Sequence, residues 1–297
     1  MKKFFFLIFV ILSFSVNVFC QEILSMVPKD SDFAFELNGK AFLKVKKLVE
    51  IAEKNPAYLS FKTVFEANGL NFEKSINKIL IAGQYRKKVT VIFDTNLSER
   101  EFISIINTKK PETFNISGKK IYKYSENNKI IFTSILKNGK IIFSENPSIV
   151  TDFQPIDFER VIKASYPISN NYIVRGYFRN FEDVFNSKKN EKDKRSIFGN
   201  GIKEGYFEFF SKDGNILENV LYFIAEPENQ KLVEFQTNAL LMLVTAKIAS
   251  GNQVIANQIR DSFKISTQGN LIKVYFKLDS SFLDTKVSQG DNFDPFE

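Results

Sequence analysis

"SDFAFELNGKAFLKV", residues 31–45, compresses a strand, a turn and the start of a helix into one short stretch. Phe33, Phe35 and Leu37 alternate with small or polar neighbours, which is the period of a strand with one buried face. Asn38-Gly39 breaks the run, and Ala41, Phe42, Val45, Leu48 and Val49 then recur at helical spacing. Cap and turn chemistry accounts for Asn38. The stretch therefore reads as the first strand-to-helix corner of a structural unit, and neither Glu36 nor Asn38 reads as a site.

Downstream, "NPAYLSFKTVFEANG" (55–69) is a further helical piece closed by Asn68-Gly69. "INKILIAGQ" (76–84) and "KVTVIFDT" (88–95) read as two strands joined by a basic turn. Ser98 and Glu101 form a capping box, and Leu97 is placed to staple onto Phe102, so a helix starts there and stops at Lys109-Lys110-Pro111. Strands follow at 119–124, 129–136 and 140–144, the last two joined through the hairpin pair Asn138-Gly139. Pro147, Pro155 and Pro167 punctuate a stretch of weak periodicity, which places a domain boundary near residue 160.

The second half repeats this order. "NYIVRGYFRNFEDVF" (171–185) runs from strand to helix with Asn180 at the cap position, and "KKNEKDKR" (188–195) is a charged loop. "IKEGYFEFF" (202–210) and "ILENVLYFIAE" (216–226) form a hairpin around Asp213-Gly214. Pro227 opens the longest helix, a shorter one spans 253–261, and a hairpin covers 263–279. The expected fold is α+β. It has two similar domains, 21–160 and 161–285, each a mainly antiparallel sheet with helices on one face. The element order is the split β-α-β-β-α-β of ferredoxin-like domains with extra strands. The repeat is one of element order and not of sequence, because the apolar strand face falls on different offsets in the two halves.

Residues 1–20 read as a signal peptide: Lys2 and Lys3 supply the positive start, and "FFFLIFVILSF" (4–14) has the length of a secretory apolar segment. A bilayer span needs about 20 apolar residues, and no other segment approaches that length, so no integral membrane span is expected. Val18 and Cys20 fit a cleavage pair ahead of Gln21, with Ser13 and Ser15 as another choice. Cys20, the one cysteine, is alternatively the acylated residue of a bacterial lipoprotein, although Phe19 is larger than the residue such signals prefer there. An exported chain (periplasmic, secreted or outer-surface) without further thiols has no disulfides to rely on, so apolar burial, to which phenylalanine (33 in the full sequence, leader included) contributes most visibly, must supply the core. Residues 286–297 read as a flexible acidic tail.

Residues 21–160 carry 22 Lys and Arg against 17 Asp and Glu, whereas residues 161–297 carry 17 of each. The excess sits in short turns, above all Arg86-Lys87-Lys88, which becomes the candidate contact for an anionic envelope lipid or polymer. No basic run is interleaved with aromatics, so nucleic acid is not an expected partner.

The chain has no histidine, which excludes Ser-His-Asp and Cys-His nucleophiles and histidine metal sites. No cofactor and no metal site is expected. "GNGIKEG" (199–205) has the wrong spacing for a dinucleotide fingerprint and reads as a loop before a strand. Ser75/Lys78, Ser117/Lys120 and Ser134/Lys137 have the Ser-x-x-Lys spacing but lack its companion motifs. Glu204/Glu208 and Asp291/Asp294 are carboxylate pairs of the kind a glycosidase would use, and both read as solvated surface. "ALLMLVTAKIA" (239–249) is apolar on nearly all sides and reads as a core helix.

The "VPKDSDFAFELN" opening, followed by Gly69, Asn71, Ile76, Ile79, Ile81, Ala82 and Gly83, resembles uncharacterised exported bacterial proteins of the domain-of-unknown-function class. The resemblance covers residues 27–145, rests on structural residues and implies no catalytic position. The functional expectation is an exported cell-envelope binding or interaction module without catalytic activity, its partner an anionic envelope lipid or polymer or another envelope protein. The alternative is a periplasmic hydrolase using carboxylates or a Ser-Lys pair.

Overall fold

The computed structural model describes residues 23–84, 89–126, 128–136, 139–157, 160, 162, 165–166, 171–179, 201–249 and 253–280. Cys20, the Arg86-Lys87-Lys88 turn, Asn180 with the helix expected after it, and the acidic tail lie outside these residues. Among the described residues no helix is long and apolar enough to cross a membrane. The chain divides between Ser165 and Tyr166 into two compact units.

In the first unit a 3-10 turn at Ile23–Met26 precedes β1 (Val27–Pro28) and β2 (Phe33–Asn38). Four short helices follow: α1 (Gly39–Leu43), α2 (Lys46–Ala52), α3 (Pro56–Ala67) and α4 (Phe72–Ser75). Next come β3 (Ile76–Gly83), β4 (Val89–Thr95), α5 (Glu99–Asn107), β5 (Glu112–Ile116), β6 (Lys119–Glu126), β7 (Lys129–Ile135) and β8 (Lys140–Ser144). α6 (Pro147–Thr151) leads to β9 (Pro155–Ile156), which pairs with β1. Asn38 caps α1 by accepting from the Ala41 amide at 3.4 Å. Ser98 and Glu101 form the reciprocal cap of α5: Ser98 Oγ accepts the Glu101 amide at 3.3 Å, and Glu101 Oε2 accepts the Ser98 amide at 2.7 Å. Gly139 turns β7 into β8 at φ 71°, and a Cβ there would stand 3.1 Å from the Thr95 carbonyl oxygen.

The seven longer strands lie in the order β2-β3-β4-β8-β7-β6-β5, with every pair given a register antiparallel. This corrects the ferredoxin-like expectation. A β-α-β unit lays its two strands parallel through one crossover helix, but β2 pairs with β3 antiparallel. The connection is four short helices, and it returns the chain to the end of the sheet it left. A second correction concerns the opening strand. Its alternation suggested one wet face, yet Ala34 and Glu36 are as buried as Phe35 and Leu37, and every residue of β3 is buried. The small and polar face of these strands is therefore interior too.

The second unit contains β10 (Tyr172–Arg179), β11 (Ile202–Phe210) and β12 (Ile216–Ala225), then a 3-10 turn at Pro227–Asn229. α7 (Gln230–Ala249), α8 (Gln253–Ser262), β13 (Lys264–Gln268) and β14 (Leu271–Asp279) complete it. Its strands run antiparallel in the order β13-β14-β12-β11-β10. Val233 of α7 packs with Ile202, Phe223, Ala225, Ile272 and Val274 in a core flanked by Phe178 and Phe263. Gly205 is required here, because a Cβ would sit 2.4 Å from the Phe178 ring. Within the run 239–249, expected in the core, Met242 is 71% exposed, and the side chains of 240–241 and 243–249 lie outside those described; upstream, Leu232 and Phe235 are exposed while Val233 and Gln236 face inward.

Candidate binding site

A cavity of about 80 Å³ lies in the first unit, between α3, α5 and the sheet. α3 contributes Phe61, Val64 and Phe65, α5 contributes Phe102, Ile105 and Ile106, and the strands contribute Phe93, Ile141 and Phe143. The cap of α5 sets this geometry, since Leu97 and Phe102 on either side of it both line the space. On the floor, Phe93 meets Phe143 edge-on at 5.4 Å, and Phe61 tilts over Phe93 at 6.4 Å. Phe61 is 42% exposed, so one wall of the cavity reaches the surface. Polar groups are confined to a few positions. Lys109 Nζ meets Glu126 Oε1 at 2.7 Å, and Ser60, Thr95 and Tyr124 also line the cavity. Thr95 is committed to the Gly139 carbonyl oxygen at 2.7 Å. Burial, with Glu126 adding to it, pushes the Tyr124 hydroxyl well above its ordinary value, so it remains a neutral donor. An apolar pocket with a few convergent polar groups is the common form of a ligand site.

The opposite face of the same strands carries charge. Lys78, Asp94 and Lys140 lie directly across β3, β4 and β8 from one another. Glu36, with no exposed surface, accepts from Lys78 Nζ at 2.9 Å, and Lys140 Nζ stands 4.0 Å from Asp94 Oδ1. Burial pushes the Asp94 carboxyl above the usual range, against the pull of Lys140 and Lys78. Two carboxylates and two ammonium groups balance one another. Sequence reading missed the row because Lys78, Asp94 and Lys140 look like the wet side of alternating strands.

In the second unit the face away from the Val233 core carries tyrosines and carboxylates. Arg175 pairs in register with Glu208, and Tyr177, Tyr206, Tyr222 and Lys273 follow one another across four strands. Tyr206 Oη donates to Glu208 Oε1 at 2.5 Å, Tyr275 Oη to Glu218 Oε2 at 2.6 Å, and the Tyr177 hydroxyl to Glu204. Tyr166 stacks on Tyr206 with ring centres 5.4 Å apart. Glu204/Glu208 is therefore not a solvated pair: Glu208 is 3% exposed, and each carboxylate accepts a hydrogen bond from a tyrosine hydroxyl.

Of the Ser-x-x-Lys pairs, the two groups of Ser75/Lys78 are each engaged elsewhere. Ser75 Oγ donates to the Asn71 carbonyl oxygen at 2.7 Å, whereas Lys78 is held by Glu36. Ser134 Oγ donates to the Lys120 carbonyl oxygen at 2.8 Å, and Lys137 lies outside the described residues, as do Asp291 and Asp294. Ser117 sits in the β5–β6 turn at φ 51°. Among the described residues no group of three or more carboxylate or thiol side chains is placed to hold a metal ion.

No family model matches the sequence, and neither does any curated protein. Two solved structures of TP0453 are similar in fold. Crystal form III has a TM-score of 0.53 at 10% identity, covering 92% of this chain and 99% of that one. Crystal form IV has a TM-score of 0.53 at 12% identity, covering 90% and 96%. At such identity the likeness bears on fold alone, and it is a likeness of α+β architecture along nearly the whole length of both chains.

Proposed function

We propose that this chain is an exported cell-envelope binding module without catalytic activity, and that its ligand enters the cavity between α3, α5 and the sheet. The observation that carries this reading is the cavity itself: eleven apolar side chains from two helices, three strands and the residue before the α5 cap line it, with one ion pair at its edge. The "FFFLIFVILSF" leader supports export, and Arg86-Lys87-Lys88 is the further contact for an anionic lipid or polymer surface. The buried carboxylates favour binding over hydrolysis, because Glu36, Glu208 and Glu218 are already engaged by Lys78, Tyr206 and Tyr275.

Xenon is the test, since it enters dry apolar cavities regardless of ligand chemistry. Methyl NMR of the leaderless protein under xenon should move Ile105, Ile106 and Ile141, and Val64→Phe should abolish those shifts. Absence of xenon shifts at these methyls would overturn the reading. So would turnover of chromogenic esters or glycosides that is lost in Glu204→Gln or Glu208→Gln.

A further inference from the structure

We propose that β5 is a docking edge for a second copy of this chain, the two β5 strands pairing antiparallel about a two-fold axis at Phe114. β5 stands at one end of the seven-strand order, and all five of its residues are exposed. The turn beside it decides which backbone groups face outward. Ile116 pairs with Lys119 across Ser117-Gly118, which sit at φ 51° and 76°, so this is the tight hairpin turn whose flanking residues exchange hydrogen bonds. Ladder bonds alternate from there. Ile116, Phe114 and Glu112 therefore bond to β6, whereas the N–H and C=O groups of Thr113 and Asn115 point away from it. Among the described residues no strand or turn supplies a backbone partner for those outward groups.

An extended strand satisfies such a row, and the residues of β5 select a copy of itself. With the axis at Phe114, Thr113 of one copy faces Asn115 of the other, and every outward group pairs, giving about four hydrogen bonds. An axis at Thr113 would set Asn115 against Pro111, which has no N–H. An axis at Asn115 would set Thr113 against Ser117, where the chain already turns away at φ 51°. In the Phe114 register the two Phe114 side chains meet as a non-hydrogen-bonded pair, the closest kind, and each ring has Ile116 of the other copy on its diagonal. Phe114 and Ile116 are both 41% exposed. Charge does not oppose the pairing, because Glu112, the charged residue of β5, accepts from Lys123 Nζ at 2.9 Å within its own chain. Edge strands are commonly guarded by lysine, proline or a bulge. β5 has none of these from Glu112 to Ile116, where its register with β6 is unbroken.

The test uses the leaderless chain, residues 21–297, which contains no cysteine. Sedimentation velocity from about 1 μM to about 1 mM, the span of weak association, should show a reversible passage from monomer to dimer. Asn115→Pro removes a donor that the chain's own sheet does not use, once in each copy, so association should weaken roughly tenfold or more with the fold retained. If that variant does not fold, Phe114→Lys sets like charges against each other at the axis and should weaken association likewise. Phe114→Cys should yield a disulfide-linked dimer, with oxidised glutathione taking up the two protons and two electrons released, since the spacing of such a pair suits the bond. Thr113→Cys, which meets its own copy only diagonally, should not cross-link. A chain that stays monomeric throughout the range would overturn the proposal. So would a dimer that Asn115→Pro and Phe114→Lys leave unchanged, or equal cross-linking through the two cysteines.

Discussion

Across β3, β4 and β8 the buried polar row is Lys78, Asp94 and Lys140, with Glu36 beside it. Across β10 to β14 it is Arg175 with Glu208, three tyrosines in register, and Tyr275 with Glu218. Both rows place ionisable groups in a sheet interior where an unpaired charge costs several kcal/mol. The first balances charge with charge. The second mostly surrounds carboxylates with neutral hydroxyl donors, which keep their protons because burial raises them: Tyr222 and Tyr275 are each pushed up to about 12. The lesson is that a polar face on an alternating strand need not be wet, and that the two solutions fail in different ways.

The largest effect should follow removal of one ion of the first row. Lys78→Met removes the ammonium group that donates to the fully buried Glu36, and should lower the unfolding free energy of the first unit by roughly 3–5 kcal/mol in denaturant titrations. Adding Glu36→Gln should recover much of that loss. A single mutant costing under about 1 kcal/mol would mean that the row is not a balanced set. In the second unit Tyr206→Phe removes one donor from Glu208 but no charge, so the expected cost is smaller, about 1.5–3 kcal/mol. Equal costs in the two rows would erase the distinction between them.

These rows also mark where sequence reading stopped. Capping at Ser98–Glu101, the turn at Gly139 and the strands 202–210 and 216–225 were legible because each depends on a few neighbouring residues. β5 was not, since an edge strand with Phe114 and Ile116 exposed carries no buried stripe to detect. Strand neighbours, and hence the failure of the ferredoxin-like order, depend on how four short helices return the chain, which no local pattern encodes. The cavity was the least legible feature. Phe61, Phe65, Phe102 and Ile106 read as ordinary helix core faces, and only packing reveals the space left between them.

The pH dependence is smaller near neutrality and differs between the units. In the second unit, raised tyrosine values mean that the folded chain holds protons the unfolded chain releases above about 10. Stability from Tyr222 and Tyr275 is therefore intact below that pH and is lost as pH rises toward about 12. In the first unit, Asp94 is a carboxyl with a raised folded value, so its contribution is greatest at acid pH and is lost as pH rises through that value. Unfolding followed at pH 9 to 12, from about one unit below the ordinary tyrosine value up to the raised value, should show the second unit weakening. Delayed tyrosine ionisation should end at the same unfolding step, and a tyrosine titration complete before unfolding would contradict the buried hydroxyl row.

The most direct measurement is the stability of Val64→Phe set beside its xenon binding. Filling a cavity of about 80 Å³, at about 24 cal/mol per Å³, offers at most roughly 2 kcal/mol. A variant stabilised by about 1 kcal/mol that no longer takes up xenon would identify a space held open at the expense of stability, as a working site requires. A variant destabilised by more than about 1 kcal/mol, from a wild type that never admits xenon, would mean that α3 and α5 already close on the sheet and that the first unit holds no site there.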